Sequence, residues 1–322
     1  VMEIGHRTDT FQQMLCELEQ KIRQVMHIPN NYNVLFLQGG GQGAFSLVPM
    51  NLCNNNKEVD YLVTGVWSER AAKYAKRYAN VNIATAAGKY SIPNSDTWNL
   101  NNKAAYLYYC PNETINGISF PDIPHSVNVP LVADMTSSIL SCDVDVAKFG
   151  IIFAAAQKNL GITGVTLLII KNDLFEQALP FTPDVFNFKT QLENKSCLNT
   201  IPTFAIYMMD LMVDWVIENG GVEKFALEAK RKSAKLYDYI DNSGFYTNPV
   251  ETKYRSPINI PFILPSEDLL HSFLNEAAAN DLKYLQGHKL VGGARASLYN
   301  AMPEVGVDKL IDFMEIFKKN KH

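Results

Sequence analysis

No apolar run in this sequence approaches the ~20 residues that cross a bilayer, and its first ten residues are charged early, without a signal peptide's apolar core. Cysteine is scarce. Cys16, Cys53, Cys110, Cys142 and Cys197 are odd in number and contain no C-x-x-C pair, so free thiols in a reducing compartment are expected rather than a disulfide framework. The six histidines show no metal-ligand spacing. Neither charge dominates: 29 Lys+Arg face 33 Asp+Glu, which provides no basic surplus for nucleic acid. Internal repeats, low-complexity tracts and a Gly-Lys-Ser/Thr phosphate loop are also missing. The expectation is a cytoplasmic protein without membrane or nucleic-acid partners or a metal.

What is present is alternation. Thr10–Met26 reads as a helix with Phe11, Leu15, Leu18 and Ile22 on one face. Strand 34–37, helix 44–53, strand 61–64 and a helix 69–79 capped by Ser68 follow. Strands are then expected near 104–109, 129–133, 150–155 and 165–170. Repeated βα units imply an α/β fold, with a mostly parallel sheet covered by helices on both faces. A helix over 201–219 stops at Gly220-Gly221, and a long charged helix over 222–241 follows. Beyond it lies a smaller α+β unit: strand 258–263, helix 267–280, strand 294–299 and helix 305–319. The domains are placed at 1–229 and 230–322.

Lys158 lies in Ala156-Gln157-Lys158-Asn159, between the apolar runs 151–156 and 165–170. A partly desolvated amine at a buried strand end can serve as a nucleophile. Taken alone the plainer reading prevails: roughly nine such lysines in ten simply lie at the surface. Asp134 ends the strand Pro130-Leu131-Val132-Ala133, and functional groups gather at the carboxyl ends of parallel strands. A lysine and an acid on successive strand ends suit a pyridine-ring cofactor, the amine taking its aldehyde and the acid its ring nitrogen. As a helix cap or turn former, Asp134 would need no cofactor.

Gly39-Gly40-Gly41-Gln42-Gly43 follows an apolar strand and precedes a helix, an arrangement that lets backbone N–H groups meet a phosphate. It also matches G-x-G-x-x-A, so a dinucleotide site is the rival. That rival needs an acid ending the next strand, whereas Asp60 begins it. Trp67 at that strand's end could stack on a pyridine ring, and Thr114, after Pro111-Asn112-Glu113, could bond a ring oxygen. Core packing and turn chemistry are their plain alternatives. Arg295, alone among Ala294, Ala296 and Leu298, must be paired or functional; two parallel N–H bonds to a carboxylate are its natural use.

Six segments in order carry a resemblance: Gly5-His6-Arg7, Gln38–Gly43, Tyr109–Thr114, Ala156–Asn159, Asn199–Thr203 and Gly287–Asn300. The chain resembles the phosphoserine aminotransferases, class-V pyridoxal-phosphate enzymes of the aspartate-aminotransferase fold (fold type I, with a sheet of the seven-stranded type). The resemblance implies pyridoxal 5'-phosphate on Lys158, with Asp134 at the ring nitrogen, Trp67 on the ring and Thr114 near its phenolic oxygen. Gly41, Gln42 and Gln157 would hold the phosphate, joined by Asn199 and Thr200 of a second subunit, which implies a homodimer. Arg295 would bind the substrate α-carboxylate, and His6, Arg7, His288 and Lys289 the second anionic group. The implied reaction moves the amino group of L-glutamate to 3-phosphohydroxypyruvate, giving O-phospho-L-serine and 2-oxoglutarate in serine biosynthesis.

Three departures accompany it. Gln42 stands where many members carry arginine, and Lys289 where arginine is common. The family's opening segment, resembling Asn-Phe-Ser-Ala-Gly-Pro, is absent, so the expectation is a truncated chain that binds cofactor but turns over little. A desulfurase or lyase on the same fold, a nicotinamide-dependent oxidoreductase and a silent scaffold are the competing readings.

Overall fold

The computed structural model describes residues 4–88, 90–126 and 128–321. Helix α1 (Asp9–Val25) starts where the Thr8 side chain accepts from the Phe11 N–H. Then come β1 (Tyr32–Leu37), α2 (Gly40–Leu52), β2 (Glu58–Val63), α3 (Val66–Ala75), β3 (Asn80–Ala86) and β4 (Leu107–Tyr109). A short ribbon of β5 (Asn112–Glu113) and β6 (Ile118–Ser119) leads to β7 (Leu131–Asp134), β8 (Ile151–Ala155), β9 (Thr166–Lys171) and α4 (Phe188–Glu193). Helices α5 (Thr203–Glu218) and α6 (Gly221–Asn242) precede β10 (Asn259–Phe262), α7 (Glu267–Ala279), β11 (Ala294–Ser297) and α8 (Glu304–Lys321).

Seven strands form one sheet in the order β1-β9-β8-β7-β4-β2-β3. Only β9 runs against its neighbours: it is antiparallel to both β8 and β1. The carboxyl ends of the other six strands therefore share one edge, together with the start of β9.

The strands read as unbroken apolar runs because both faces are covered. Side chains alternate between two cores. Val34, Phe36, Ile152, Ala154, Leu167 and Ile169 pack with Phe11, Leu15, Leu18 and Ile22 of α1 and Ile206, Met209 and Val213 of α5. Leu35, Leu37, Ile151, Phe153, Leu168 and Ile170 pack with Phe45 and Val48 of α2 and Ala71 and Ala72 of α3. A third core joins Leu236 and Ile240 of α6 to Phe262, Phe273, Met314 and Phe317. Helix α6 contributes Phe225 to the first core and its last turns to the third.

Several boundaries differ from expectation. Helix α2 begins at Gly40 rather than residue 44, because Gly39 takes a left-handed φ of 103° and turns the chain straight into the helix. Helix α3 begins at Val66, not 69, and Ser68 is its third residue rather than its cap. Strand β3 was not anticipated at all. Its sequence Asn-Val-Asn-Ile-Ala-Thr-Ala has weak alternation, and its pairing with β2 creates it.

Candidate active site

The shared edge of the sheet opens into a cavity of about 490 Å³. Lys158, Asp134, Gly41, Gln42, Trp67, Thr114 and Gln157 all line it. Five places in the chain bring residues far apart in sequence to this edge: the end of β7, the turn after β8 and the starts of α2 and α3, with the residue after β5.

Asp134 is the last residue of β7 and only 5% exposed. Its Oδ1 accepts from the Thr136 N–H at 3.0 Å. Burial raises its proton affinity, opposed by hydrogen bonding with Thr136 and by the charge of Lys158. Lys158 follows β8 and is half-buried, with Nζ 6.0 Å from the Tyr299 ring centroid. The neighbouring Asn159 is fixed from both sides: its Nδ2 donates to the Ile139 carbonyl, and its Oδ1 accepts from the Asn300 N–H.

Helix α2 has no side-chain cap. Its leading N–H groups have no earlier turn to bond, and Gly39, Gly40, Gly41 and Gln42 line the cavity. A Cβ on Gly41 would sit 3.4 Å from Thr136 Oγ1 and 4.0 Å from Asp134 Oδ2, so the helix start and the buried acid approach closely.

Trp67 belongs to the first turn of α3. Its indole Nε1–H donates to Thr114 Oγ1 at 2.9 Å, and its backbone N–H donates to Glu113 Oε2 at 3.0 Å. Arg295 on β11 reaches the same wall, with Nη1 donating to the Thr114 carbonyl at 2.9 Å. Its Nε is buried and has no partner among the described residues. Glu113 is 0% exposed, and burial raises its proton affinity too, against the donors of Ser68 and Trp67.

The other expected residues lie elsewhere in this chain. Asn199 lines a different cavity, near Phe36 and Phe186, and the Thr200 carbonyl accepts from Gln38 Nε2. Arg7 is exposed, and the His6 carbonyl accepts from Gln12 Nε2 at 2.7 Å. His288 and Lys289 occupy a loop between α7 and β11, where His288 Nδ1 accepts from the Leu290 N–H. None of the six lines the cavity with Lys158, and Arg295 meets it only through the Thr114 carbonyl.

Glu113, Tyr299, Thr136 and Ser137 join the site without having been given a role from sequence. Glu113 carried the one usable signal, the lone acid between Asp96 and Asp122, directly before Thr114. Asp60, the acid a dinucleotide site would want at the end of β2, lies inside that strand and is spent on Asn82 Nδ2 and the Asn101 N–H. A second cavity, of about 340 Å³, lies between the end of α1 and the α5–α6 junction and gathers none of the expected residues. Among the described residues no helix is long and apolar enough to cross a membrane, and no His/Cys/Asp/Glu cluster could hold a metal.

Fold and cavity together define a class of protein: the family model described as Aminotransferase class-V matches residues 1–310. A phosphoserine aminotransferase of Hahella chejuensis is 47% identical over 320 residues, covering 98% of this chain and 89% of the relative. One of Acinetobacter baylyi is 46% identical over 321 residues, with the same coverage. Among solved structures, the phosphoserine aminotransferase of Bacillus circulans subsp. alkalophilus superposes with a TM-score of 0.97 at 37% identity, covering 100% of this chain and 90% of that one. The chain belongs to the phosphoserine aminotransferase family of the class-V aminotransferases.

Proposed function

We propose that this chain is a pyridoxal-phosphate-dependent transaminase that moves the amino group of L-glutamate to 3-phosphohydroxypyruvate, giving O-phospho-L-serine and 2-oxoglutarate in serine biosynthesis. The observation that carries the reading is the convergence of Lys158 and Asp134 on one cavity whose wall is the open N-terminus of α2. A phosphoserine aminotransferase of Trichomonas vaginalis with the cofactor bound superposes with a TM-score of 0.93 at 38% identity, covering 97% of this chain and 90% of that one.

The donor set fits that cofactor. Uncapped N–H groups at Gly41 and Gln42, with the Gln157 amide, suit a phosphate. A buried carboxylate such as Asp134 gains most from a positive partner, here a protonated ring nitrogen. The Thr114 hydroxyl already accepts from Trp67, which leaves its own proton free for the phenolic oxygen. Trp67 would stack on the ring. When bound, pyridoxal phosphate supplies an aldehyde carbon and a ring that accepts electrons from the substrate. Lys158 Nζ would hold that aldehyde and, once displaced by the incoming amine, move the proton at the substrate α-carbon. Arg295 would bind the α-carboxylate, since its buried Nε–H still lacks an acceptor.

Asn199 and Thr200 would serve the phosphate of a second copy, which agrees with their distance from this chain's own cavity and makes the working form a homodimer. His6, Arg7, His288 and Lys289 would take the second anionic group. Since none lines the cavity here, that subsite would need the second copy or a closing movement of the unit after residue 229. A cytoplasmic setting belongs to the same reading.

The test is direct. The protein mixed with pyridoxal phosphate should absorb in the visible and, after borohydride, retain cofactor covalently. Lys158→Ala should retain none. Retention by the variant, or no uptake by the parent, would overturn the proposal.

A further inference from the structure

Glu113 is fully enclosed, yet among the described residues no basic side chain pairs with its carboxylate. Among the described residues, every hydrogen bond that carboxylate accepts comes from the first turn of α3: the Trp67 N–H on Oε2 at 3.0 Å, and the Ser68 N–H and Ser68 hydroxyl on Oε1 at 2.8 and 2.6 Å. These N–H groups are among those a helix leaves unbonded at its start, and a carboxylate is also the charge favoured there. The contact is tight: a Cβ on Gly65 would lie 2.5 Å from Glu113 Cδ. The next residue, Thr114, takes the other end of Trp67 through the indole N–H. The Thr114 carbonyl in turn receives Arg295 Nη1. Two consecutive residues thus grip Trp67 at both backbone and ring, and tie it to the arginine from β11.

We propose that Glu113 is a positioning residue for the cofactor wall, holding Trp67 through its backbone N–H so that the indole, Thr114 and Arg295 stay in register. This rests on the function proposed above. The two carboxylate oxygens have unequal tasks, and that makes the inference testable. In Glu113→Gln one oxygen becomes an NH2 group. The cheaper orientation keeps the oxygen on the two Ser68 donors and turns the NH2 toward the Trp67 N–H, so Trp67 alone is released. Ser68→Ala does the reverse: it removes a hydroxyl that also accepts from the Thr64 and Gly65 N–H groups, and leaves the Glu113–Trp67 bond in place.

The experiment titrates pyridoxal phosphate into wild type, Glu113→Gln, Ser68→Ala, Trp67→Phe and the Glu113→Gln/Trp67→Phe double variant, and records apo melting temperatures beside the dissociation constants. Loss of one charge-assisted bond should weaken cofactor binding about tenfold in Glu113→Gln. Ser68→Ala should melt earlier yet bind cofactor within about threefold of wild type. In the double variant the two losses should not add, because Glu113 acts through Trp67. Wild-type affinity in Glu113→Gln, or fully additive losses, overturns the assignment. So does cofactor affinity that merely tracks melting temperature across the set. If Glu113→Gln does not accumulate folded, Glu113→Asp, one methylene short of α3, carries the same cycle. A wild type that takes up no cofactor would instead refute the proposed function.

Discussion

Asp134→Asn should separate stability from function. Asp134 lies 5% exposed at the end of β7, and burial raises its proton affinity, so the fold disfavours its charged form. The sign follows from linkage. Between the ordinary carboxylate range and the higher folded value, the folded protein binds more protons than the unfolded chain. The cost of burying the charge is thus absent below the ordinary carboxylate range, grows as pH rises from there to the folded pKa, and is complete above it. Asparagine keeps the shape and one oxygen for the Thr136 N–H at 3.0 Å, and removes the charge. The gain in the cofactor-free protein should be on the order of 1 kcal/mol, or about 2 °C in Tm for a chain of this size. Function should move the other way. A charge-assisted bond to the ring nitrogen contributes about 1.5–3 kcal/mol, and the electron-accepting state of the ring depends on it. Turnover of glutamate with phosphohydroxypyruvate should therefore fall about tenfold to a hundredfold or more. Scanning calorimetry of the cofactor-free proteins from neutral pH down into the ordinary carboxylate range supplies the first readout. The gap between the two proteins should narrow as pH falls below the folded pKa and close where the unfolded chain takes up its proton as well. A variant melting several degrees below wild type at neutral pH, or turnover within about threefold, would refute the reasoning.

Three other outcomes are expected. Gly65→Ala places a methyl against the enclosed Glu113 carboxyl and should cost about 1–3 kcal/mol, measured by denaturant unfolding, although the extended backbone there suits any residue. Lys232, 3% exposed on α6, donates to the carbonyls of Met302 at 2.7 Å and Tyr299 at 3.2 Å; Lys232→Met removes both bonds, although the Tyr299 carbonyl keeps the Met302 N–H, and should cost about 1–3 kcal/mol, with wild-type melting as the contrary result. Arg295→Ala should weaken glutamate and phosphoserine alike, whereas Lys289→Ala should raise KM for phosphoserine more than for glutamate; equal losses from Lys289→Ala would sink that division of labour.

Apolar runs such as 150–155 and 165–170 announced strands covered on both faces, because a strand buried between two helical layers cannot alternate in polarity. Gly39-Gly40 and Gly220-Gly221 marked helix boundaries for an equally local reason, their tolerance of the positive φ that all four adopt. Resemblance across six ordered segments then pointed to the family, which the relatives' identity over nearly the whole chain establishes.

Local pattern stopped short where a partner distant in sequence decides. Strand β3 exists through its pairing with β2, and β9 runs antiparallel because the turn carrying Lys158 folds it back beside β8. The start of α3 was misplaced for the same reason: its cap is not Ser68, as the local sequence suggested, but the Glu113 carboxylate 45 residues away. The chain's own residues thus determined the layers and the family. Only the tertiary structure decided that Lys158, Asp134, Trp67 and Thr114 share one cavity while Asn199, His6 and His288 do not, because hydrogen bonds between distant segments, not local propensity, set those distances.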